Sequence, residues 1–293
     1  MKHIRIISPS GFIDPTYIDQ ASARLRAWGY KVSEGAHARE RWGRFAGTDE
    51  ERLQDIKETL EDPTVDFILC SRGGYGLQRI IDRIAPIGKP IIGFSDITAL
   101  HQLSAYHDQF SIHGIMCKHI ATLPEDSEPI MALRRLLADE RMDYHWPAHP
   151  LNQLGTAYAP IVGGNLSVLY GLQGTRYGLM DELFCEQFPI LLIEDICERH
   201  YHIDRMIRNL KLSGVLVHLS GLIVGQFSDC EDDPGMGCTI YETIKEAVAE
   251  YDYPMLFDAP IGHVERNLPL WLGLPTQLTV TKEGSFVRQQ PLG

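Results

Sequence analysis

Two hydrophobic patterns alternate along the first hundred residues. Short apolar runs typical of buried strands cover positions 3–8, 65–70 and 90–94, and Lys31 and Val32 begin a further strand. Between these runs, apolar residues recur every three or four positions, which predicts helices over 18–28, 50–60 and 77–84. Strands alternating with helices are typical of a parallel sheet covered by helices. We therefore expect an α/β fold, with ligands at the carboxyl ends of the strands.

The same alternation resumes in the second half of the chain. A strand is predicted over 188–193 and another over 221–227, and helices are predicted from about 203 to Gly214 and around 240–247. The pattern weakens between 139 and 155. This weakening predicts a first domain over 1–145, a connecting segment over 146–156 and a second domain over 157–293.

Composition narrows the range of partners. Of the 293 residues, 44% are hydrophobic and 23% charged, and 27 Lys and Arg against 39 Asp and Glu give a net charge of −12. An acidic chain without a basic stripe repels phosphate backbones, so we expect no nucleic-acid partner. No apolar window is long enough to cross a bilayer and no signal peptide is recognisable, so we expect a cytoplasmic protein without a membrane partner. The six cysteines form no C-x-x-C pair and are expected to be reduced.

Ser95 is the first candidate for chemistry. It follows the apolar strand Ile-Ile-Gly-Phe and precedes a predicted helix, as a nucleophile does on a sharp strand-to-helix turn. The G-x-S-x-G pattern of such turns is incomplete, because Ile97 stands where the second glycine would be. By spacing alone, Ser95 could instead be a helix N-cap.

Two further residues could complete a serine hydrolase site. Glu194, followed by Asp195, ends a buried strand, and His263 follows Pro-Ile-Gly on a tight loop. A serine nucleophile needs a base to accept its proton, and the base needs a carboxylate to hold its tautomer. Glu194 could also be a solvated strand end or a helix cap, and His263 a surface loop histidine. The order Ser, Glu, His permits serine hydrolysis in a cleft between the predicted domains without requiring it.

A glycine loop follows the strand at 65–70. The backbone N–H groups of Gly73 and Gly74, together with that of Asp96, could stabilise an oxyanion. Arg72 could bind a substrate carboxylate, although it could equally form a structural ion pair, and the glycines could form a turn that binds no ligand. No metal-binding motif is recognisable around four histidines: His113, His119, His200 and His202.

Taken in succession, these motifs resemble the LD-carboxypeptidase family of serine peptidases, which includes murein tetrapeptide carboxypeptidases and the related microcin C immunity peptidases. The matching segments run from residue 8 to about 273: Ser8-Pro-Ser-Gly, Arg72-Gly-Gly-Tyr-Gly, Gly93-Phe-Ser-Asp, Gly163-Gly-Asn-Leu, Leu192-Ile-Glu-Asp and Gly262-His. The resemblance implies a flavodoxin-like N-terminal domain and a C-terminal swivelling β/α domain.

The resemblance also implies a function. It implies a metal-free and cofactor-free triad of Ser95, Glu194 and His263, and a homodimer. The implied reaction is hydrolysis of the amide bond between an L-centre (diaminopimelate or Lys) and the C-terminal D-Ala of murein tetrapeptide, during peptidoglycan recycling. Two alternatives stay open: a peptidase that cleaves an aminoacyl-nucleotide antibiotic, and a non-catalytic anion-binding module.

Overall fold

The secondary structure is taken from a computed structural model that describes residues 1–179 and 182–292, without the side chains at positions 182, 183 and 185. The strands are β1 (His3–Ile7), β2 (Lys31–Glu34), β3 (Phe67–Cys70), β4 (Ile91–Gly93), β5 (Ser111–His113), β6 (Met142–Pro147), β7 (Gly155–Asn165), β8 (Ile190–Ile196), β9 (Gly221–Ser228), β10 (Met255–Leu256), β11 (Leu270–Leu272), β12 (Pro275–Val280) and β13 (Gly284–Gln289). The α-helices are α1 (Pro15–Ala27), α2 (Asp49–Glu61), α3 (Thr98–Tyr106), α4 (Cys117–Thr122), α5 (Glu128–Leu137), α6 (Leu166–Leu172), α7 (Glu182–Gln187), α8 (His200–Leu212) and α9 (Ile240–Ala247).

The first of two structural units contains Met1–Arg134 together with Leu268–Leu272. Its sheet has the strand order β11-β5-β4-β3-β1-β2, in which all neighbours are parallel except β11 and β5. The consecutive order β2-β1-β3-β4-β5 is that of flavodoxin-like folds. The predicted parallel-sheet first domain is therefore confirmed as a fold class.

The second unit contains Arg135–Asn267 and the chain from Gly273 onward. Its sheet has the order β10-β9-β8-β7-β12-β13-β6. The four strands from β10 to β7 are parallel, whereas β7, β12, β13 and β6 pair antiparallel. The expected second β/α domain is thus present, on a mixed sheet.

Local sequence explains the helices that the pattern predicted. Helix α1 buries Ile18, Ala21 and Leu25 on one face and ends before Gly29, whose φ of +92° suits glycine. Helix α2 begins with a capping box, in which the Thr48 hydroxyl accepts from the Glu51 N–H and the Glu51 carboxylate accepts from the Thr48 N–H.

The helix predicted over 77–84 is wrong. The chain forms two 3₁₀ turns there, Leu77–Arg79 and Ile81–Arg83, and Ile80 between them has a φ of −131°. All four apolar residues of the segment are buried: Leu77, Ile80, Ile81 and Ile84. Spacings of three and four residues also fit consecutive 3₁₀ turns, so the periodicity could not separate the two structures.

The segment 139–155, in which the hydrophobic pattern is weak, contains strand β6. Met142, Tyr144 and Trp146 are buried and alternate with exposed residues, as in a half-buried strand. Strand β6 pairs with β13, which lies about 140 residues later in the chain. Local pattern alone did not reveal this long-range partner; the domain limits inferred from the pattern remain a prediction.

Candidate active site

Ser95 lies on a strained turn at the carboxyl end of β4. Its φ is +67°, in the left-handed region that non-glycine residues rarely adopt. The turn continues as a 3₁₀ segment, Ser95–Ile97, and then as α3. Neither start has a side-chain cap hydrogen bond, and the cap positions are Phe94 and Ile97, so the N-cap interpretation of Ser95 is wrong. Such strain at a strand-to-helix turn is typical of a nucleophile elbow.

Gly73 packs directly against this turn. A Cβ atom at Gly73 would lie 2.7 Å from the Ser95 Cβ and 2.9 Å from its Oγ, so only glycine fits there. Gly74 has a φ of +116°, which also favours glycine. The Gly73 carbonyl accepts a hydrogen bond of 3.0 Å from the Gly11 N–H. The glycine loop and the Ser95 turn are therefore in close contact.

Asp96 is a structural anchor for the same turn. Its buried carboxylate accepts hydrogen bonds from the Ser10 hydroxyl and from the Leu77 N–H, the latter at 3.1 Å. Burial raises the pKa of this carboxyl, and the hydrogen bonds from Ser10 and Leu77 oppose the shift. The sequence predicts a role for the Asp96 backbone N–H, whereas the structure shows that the Asp96 side chain connects the Ser95 turn to the segments at Ser10 and Leu77.

In the second unit, Glu194 and His263 form a hydrogen-bonded pair. The distance from His263 Nδ1 to Glu194 Oε2 is 2.7 Å, and the side chains are 15% and 0% exposed, respectively. Glu194 is therefore not a solvated strand end, and His263 is not a free surface histidine. A carboxylate that accepts from Nδ1–H holds the imidazole in the tautomer whose Nε2 can accept a proton.

Two glycines make room for this pair. Strand β9 contains an irregularity opposite Glu194, where the pairing passes from Ile193–Val224 to Asp195–Phe227. A Cβ at Gly225 would lie 2.5 Å from the Ile261 carbonyl oxygen, and a Cβ at Gly262 would lie 2.8 Å from Glu194 Oε2. The bulge and the glycines thus let the loop with His263 approach the end of β8.

Asp195 anchors the strand beside Glu194. Its buried carboxylate accepts hydrogen bonds of 2.8 Å from Asn165 Nδ2, 2.8 Å from the Ser167 N–H and 2.9 Å from the Ile196 N–H. Burial and the neighbouring charge of Glu194 raise the pKa of Asp195 to about 7. Asn165, which the Gly-Gly-Asn motif indicated, also caps α6 by accepting from the Val168 N–H.

Arg72 is exposed beside the glycine loop. Its guanidinium donates a 3.0 Å hydrogen bond to the Phe12 carbonyl, and no carboxylate among the described residues forms an ion pair with it. Ser95, Asp96, Gly73, Gly74 and Arg72 belong to the first unit, whereas Glu194 and His263 belong to the second.

Histidines and cysteines other than His263 do not form a metal site in the described part of the chain. His113 is buried, His200 accepts from the Asp233 N–H and contacts the Thr243 hydroxyl, and His202 contacts Glu198. In residues 1–179 and 182–292, no cluster of three or more His, Cys, Asp or Glu side chains could hold a metal ion. The described free cysteines are Cys70, Cys117, Cys197, Cys230 and Cys238, and the side chain of Cys185 lies outside the described part. None of the described helices is long and apolar enough to span a membrane.

Comparison with known proteins identifies the family. Residues 4–114 match the LD-carboxypeptidase N-terminal domain, and residues 158–278 match the LD-carboxypeptidase C-terminal domain. A Synechocystis sp. protein that bears a carboxypeptidase name is 34% identical over 287 residues, covering 94% of this chain and 90% of its own length. The chain belongs to the LD-carboxypeptidase family. It is a serine-type carboxypeptidase, which confirms the predicted enzyme class and excludes a non-catalytic anion-binding module.

Other members of the family are similar over nearly their full length. The murein tetrapeptide carboxypeptidase of Pseudomonas aeruginosa is 28% identical, covering 97% of this chain and 94% of its own. The crystal structure of muramoyltetrapeptide carboxypeptidase from Oxalobacter formigenes has a TM-score of 0.87 at 24% identity and covers 99% of both chains. An MccF-like protein from Bacillus anthracis has a TM-score of 0.82 at 23% identity, covering 99% of this chain and 97% of its own. The two structures support the fold.

Proposed function

We propose that this enzyme hydrolyses the amide bond between the L-centre of the third residue and the C-terminal D-Ala of murein tetrapeptide, as part of peptidoglycan recycling in the cytoplasm. The observation that carries the proposal is the 2.7 Å contact between His263 and the buried Glu194, the orienting half of a serine hydrolase triad. The name of the Pseudomonas aeruginosa relative supports the substrate.

In the proposed mechanism Ser95 is the nucleophile. His263 Nε2 accepts the Ser95 proton as Oγ attacks the scissile carbonyl carbon, and Glu194 stabilises the imidazolium that forms. The backbone N–H groups of Asp96 and of Gly73 or Gly74 stabilise the tetrahedral oxyanion. His263 then protonates the leaving D-Ala amine, and water hydrolyses the acyl-enzyme. Loss of one oxyanion donor in comparable enzymes lowers turnover by about 10²–10³.

Arg72 is proposed to anchor the terminal carboxylate of the substrate. A guanidinium binds a carboxylate through two parallel hydrogen bonds, and Arg72 is exposed next to the glycine loop that contacts Ser95. Conversion of Arg72 to Lys would keep the charge and lose this bidentate geometry.

The family resemblance also supports a homodimer, which sedimentation velocity tests directly.

The decisive experiment incubates the murein tetrapeptide that ends in meso-diaminopimelyl-D-alanine with the wild type and with Ser95→Ala. Mass spectrometry follows the release of one alanine. We expect release by the wild type only, with circular dichroism confirming that the variant is folded. An aminoacyl sulfamoyl adenosine, tested in parallel, represents the antibiotic-type substrate. Cleavage of that compound without cleavage of the tetrapeptide would contradict the murein assignment, and full activity of Ser95→Ala would contradict the nucleophile.

A further inference from the structure

A patch of arginines and aromatic rings, exposed except for the half-buried Phe12, lies on the first unit. We call it the arginine–aromatic surface, and its members are Phe12, Arg41, Trp42, Arg44, Arg72 and Tyr75. The Arg41 guanidinium carbon lies 3.9 Å from the centre of the Phe12 ring, and Arg72 donates to the Phe12 carbonyl. Trp42 and Tyr75 are 53% and 45% exposed, and both pack against the ring of Phe45. Large exposed aromatic side chains that flank arginines are typical of a binding surface.

Close backbone packing joins this surface to the Ser95 turn. A Cβ at Gly11 would lie 2.9 Å from the Gly73 carbonyl oxygen and 3.5 Å from the Arg44 carbonyl oxygen. The Phe12 N–H donates a 3.3 Å hydrogen bond to that same Arg44 carbonyl. Gly73 in turn contacts Ser95. The main chain at Arg44 is therefore connected to the Ser95 turn by the packed backbones of Gly11 and Gly73.

The charges of this surface are not neutralised within the described chain. Most arginines around it are in ion pairs: Arg39 with Asp19 and Glu34, Arg79 with Asp49, and Arg83 with Glu50. By contrast, Arg44 makes no side-chain hydrogen bond or ion pair among the described residues. Among the described residues, Arg41 makes only a 3.4 Å contact from Nε to the Gly43 carbonyl oxygen and its contact with the Phe12 ring.

The remaining nearby carboxylates do not change this conclusion. Asp14 accepts hydrogen bonds from the Thr16 N–H and hydroxyl at the start of α1, and Asp49 is held by Arg79 and Arg52. Glu40 precedes Arg41 without forming an ion pair with it in the described chain. In a protein of net charge −12, the guanidinium groups of this surface that have no ion-pair partner in the described chain form a local positive region that attracts an anion.

We propose that Arg41 and Arg44 bind a carboxylate on the acyl side of the scissile bond, and that Trp42 packs along the same part of the peptide. This inference rests on the proposed function, because murein tetrapeptide carries a free α-carboxylate on its γ-linked D-glutamate. Guanidinium groups bind a carboxylate by charge-assisted hydrogen bonds, whereas a neutral amide offers one acceptor and no charge. The surface therefore makes the enzyme discriminate against substrates in which this carboxyl group is amidated.

The test compares two synthetic tetrapeptides that differ only at this group, L-Ala-γ-D-Glu-meso-diaminopimelyl-D-Ala and its D-isoglutamine analogue. The enzymes are the wild type, Arg41→Gln, Arg44→Gln and the double variant. We expect the wild type to have a KM about tenfold lower for the free carboxylate than for the amide. In the double variant, the KM for the acidic peptide should rise until it equals the KM for the amide. The kcat should change less than twofold, because an interaction that is equally strong in the ground state and the transition state affects KM and not kcat.

Arg26→Gln is the matched control, since Arg26 is an exposed arginine of the last turn of α1 and its removal changes the net charge as much as either single substitution does. It should keep the wild-type preference. An unchanged KM ratio in the double variant, or an equal loss in Arg26→Gln, would overturn the proposal.

Binding to Ser95→Ala protein, measured by calorimetry with both peptides, separates this inference from the proposed reaction. The acidic peptide should bind about tenfold more tightly than the amide, and Arg44→Gln should remove that preference. If this result is obtained while the wild type shows no turnover, the binding role of the surface is supported and the proposed reaction is contradicted. If neither peptide binds, or both bind equally, the assignment is wrong. Normal turnover with equal KM values for the two peptides would overturn this inference and leave the proposed function intact.

Discussion

At the scale of single residues, the Ser95 turn combines backbone strain with close packing. A non-glycine residue in the left-handed region costs about 1–2 kcal/mol. Here the cost is offset by the contact with Gly73 and by the Asp96 carboxylate, which accepts from Ser10 and Leu77. These contacts therefore hold the turn in its strained conformation.

Gly73→Ala tests this packing. The added methyl group would lie 2.7 Å from the Ser95 Cβ, so Ser95 must move from its position. We expect turnover to fall by about 10² or more, since small misplacements of reacting groups have effects of this size, and stability to fall by about 1–3 kcal/mol. D-Ala release and urea denaturation provide the two measurements.

Gly88→Ala is the matched control, because no described atom beyond its two chain neighbours lies within 4 Å of a Cβ there and Gly88 does not have a positive φ. Its turnover should equal that of the wild type. Unchanged activity in Gly73→Ala would contradict the close approach of the glycine loop to Ser95.

At the scale of elements, the end of β8 depends on a buried polar network. Glu194 and Asp195 are adjacent, both are buried, and their side chains have different partners: His263 for Glu194, and Asn165, Ser167 and the Ile196 N–H for Asp195. Two adjacent buried carboxyl groups disfavour each other's ionisation. Asp195 also fixes the end of β8 to the start of α6, because its carboxylate accepts from the Ser167 N–H.

The raised pKa of Asp195 predicts a pH dependence of stability. Its folded value of about 7 exceeds the ordinary value of 3.8, so the folded protein binds a proton that the unfolded chain releases in this window. The stabilisation is complete below pH 3.8 and is lost as the pH rises towards 7. Relative to that of Asp195→Asn, the free energy of unfolding of the wild type should fall by up to roughly 1.4 kcal/mol per pH unit between these two pH values.

Urea denaturation of both proteins at several pH values between 4 and 8 measures this difference. The wild-type free energy of unfolding should fall relative to that of Asp195→Asn up to about pH 7 and then run parallel to it. A difference that stays constant over the whole range would show that Asp195 has the same proton affinity in both states.

At the scale of the whole molecule, the polypeptide chain passes from one unit to the other more than once. Leu268–Leu272 belongs to the first unit, although the residues on both sides of it belong to the second. Within that segment β11 pairs antiparallel with β5 and completes the first sheet, and Trp271 is buried. The stability of the first sheet thus depends on residues about 155 positions after β5.

Trp271→Ala tests this dependence. Removing a buried tryptophan side chain costs about 3–5 kcal/mol, and the loss should accelerate hydrogen exchange in β5 and β4. Leu278→Ala in β12 is the control, since Leu278 is buried in the second unit and β12 pairs with β7. Faster exchange confined to β12 and β7 in the Trp271 variant would contradict the assignment of this segment to the first sheet.

Short motifs suggest the candidate site residues, which remain a prediction, whereas local patterns miss some of the elements that connect them. Ser95, Glu194 and His263 were each identified from a short motif at a strand end or loop, because the chemistry of a triad restricts residue types. By contrast, β6 was missed although Met142, Tyr144 and Trp146 alternate with polar residues, because its partner β13 is distant in the chain. The 3₁₀ turns over 77–84 were missed because helical and 3₁₀ spacings overlap.

The sequence by itself determined the α/β class, the first four strands together with helices α1 and α2, and the residue types of the proposed triad, since these depend on local periodicity and on motifs. Only the tertiary structure decided that Glu194 is buried against His263, that Gly73 contacts Ser95, and that Leu268–Leu272 completes the first sheet. The physical reason is that burial, close approach and strand pairing between distant segments depend on how the whole chain packs, which no local window of the sequence contains.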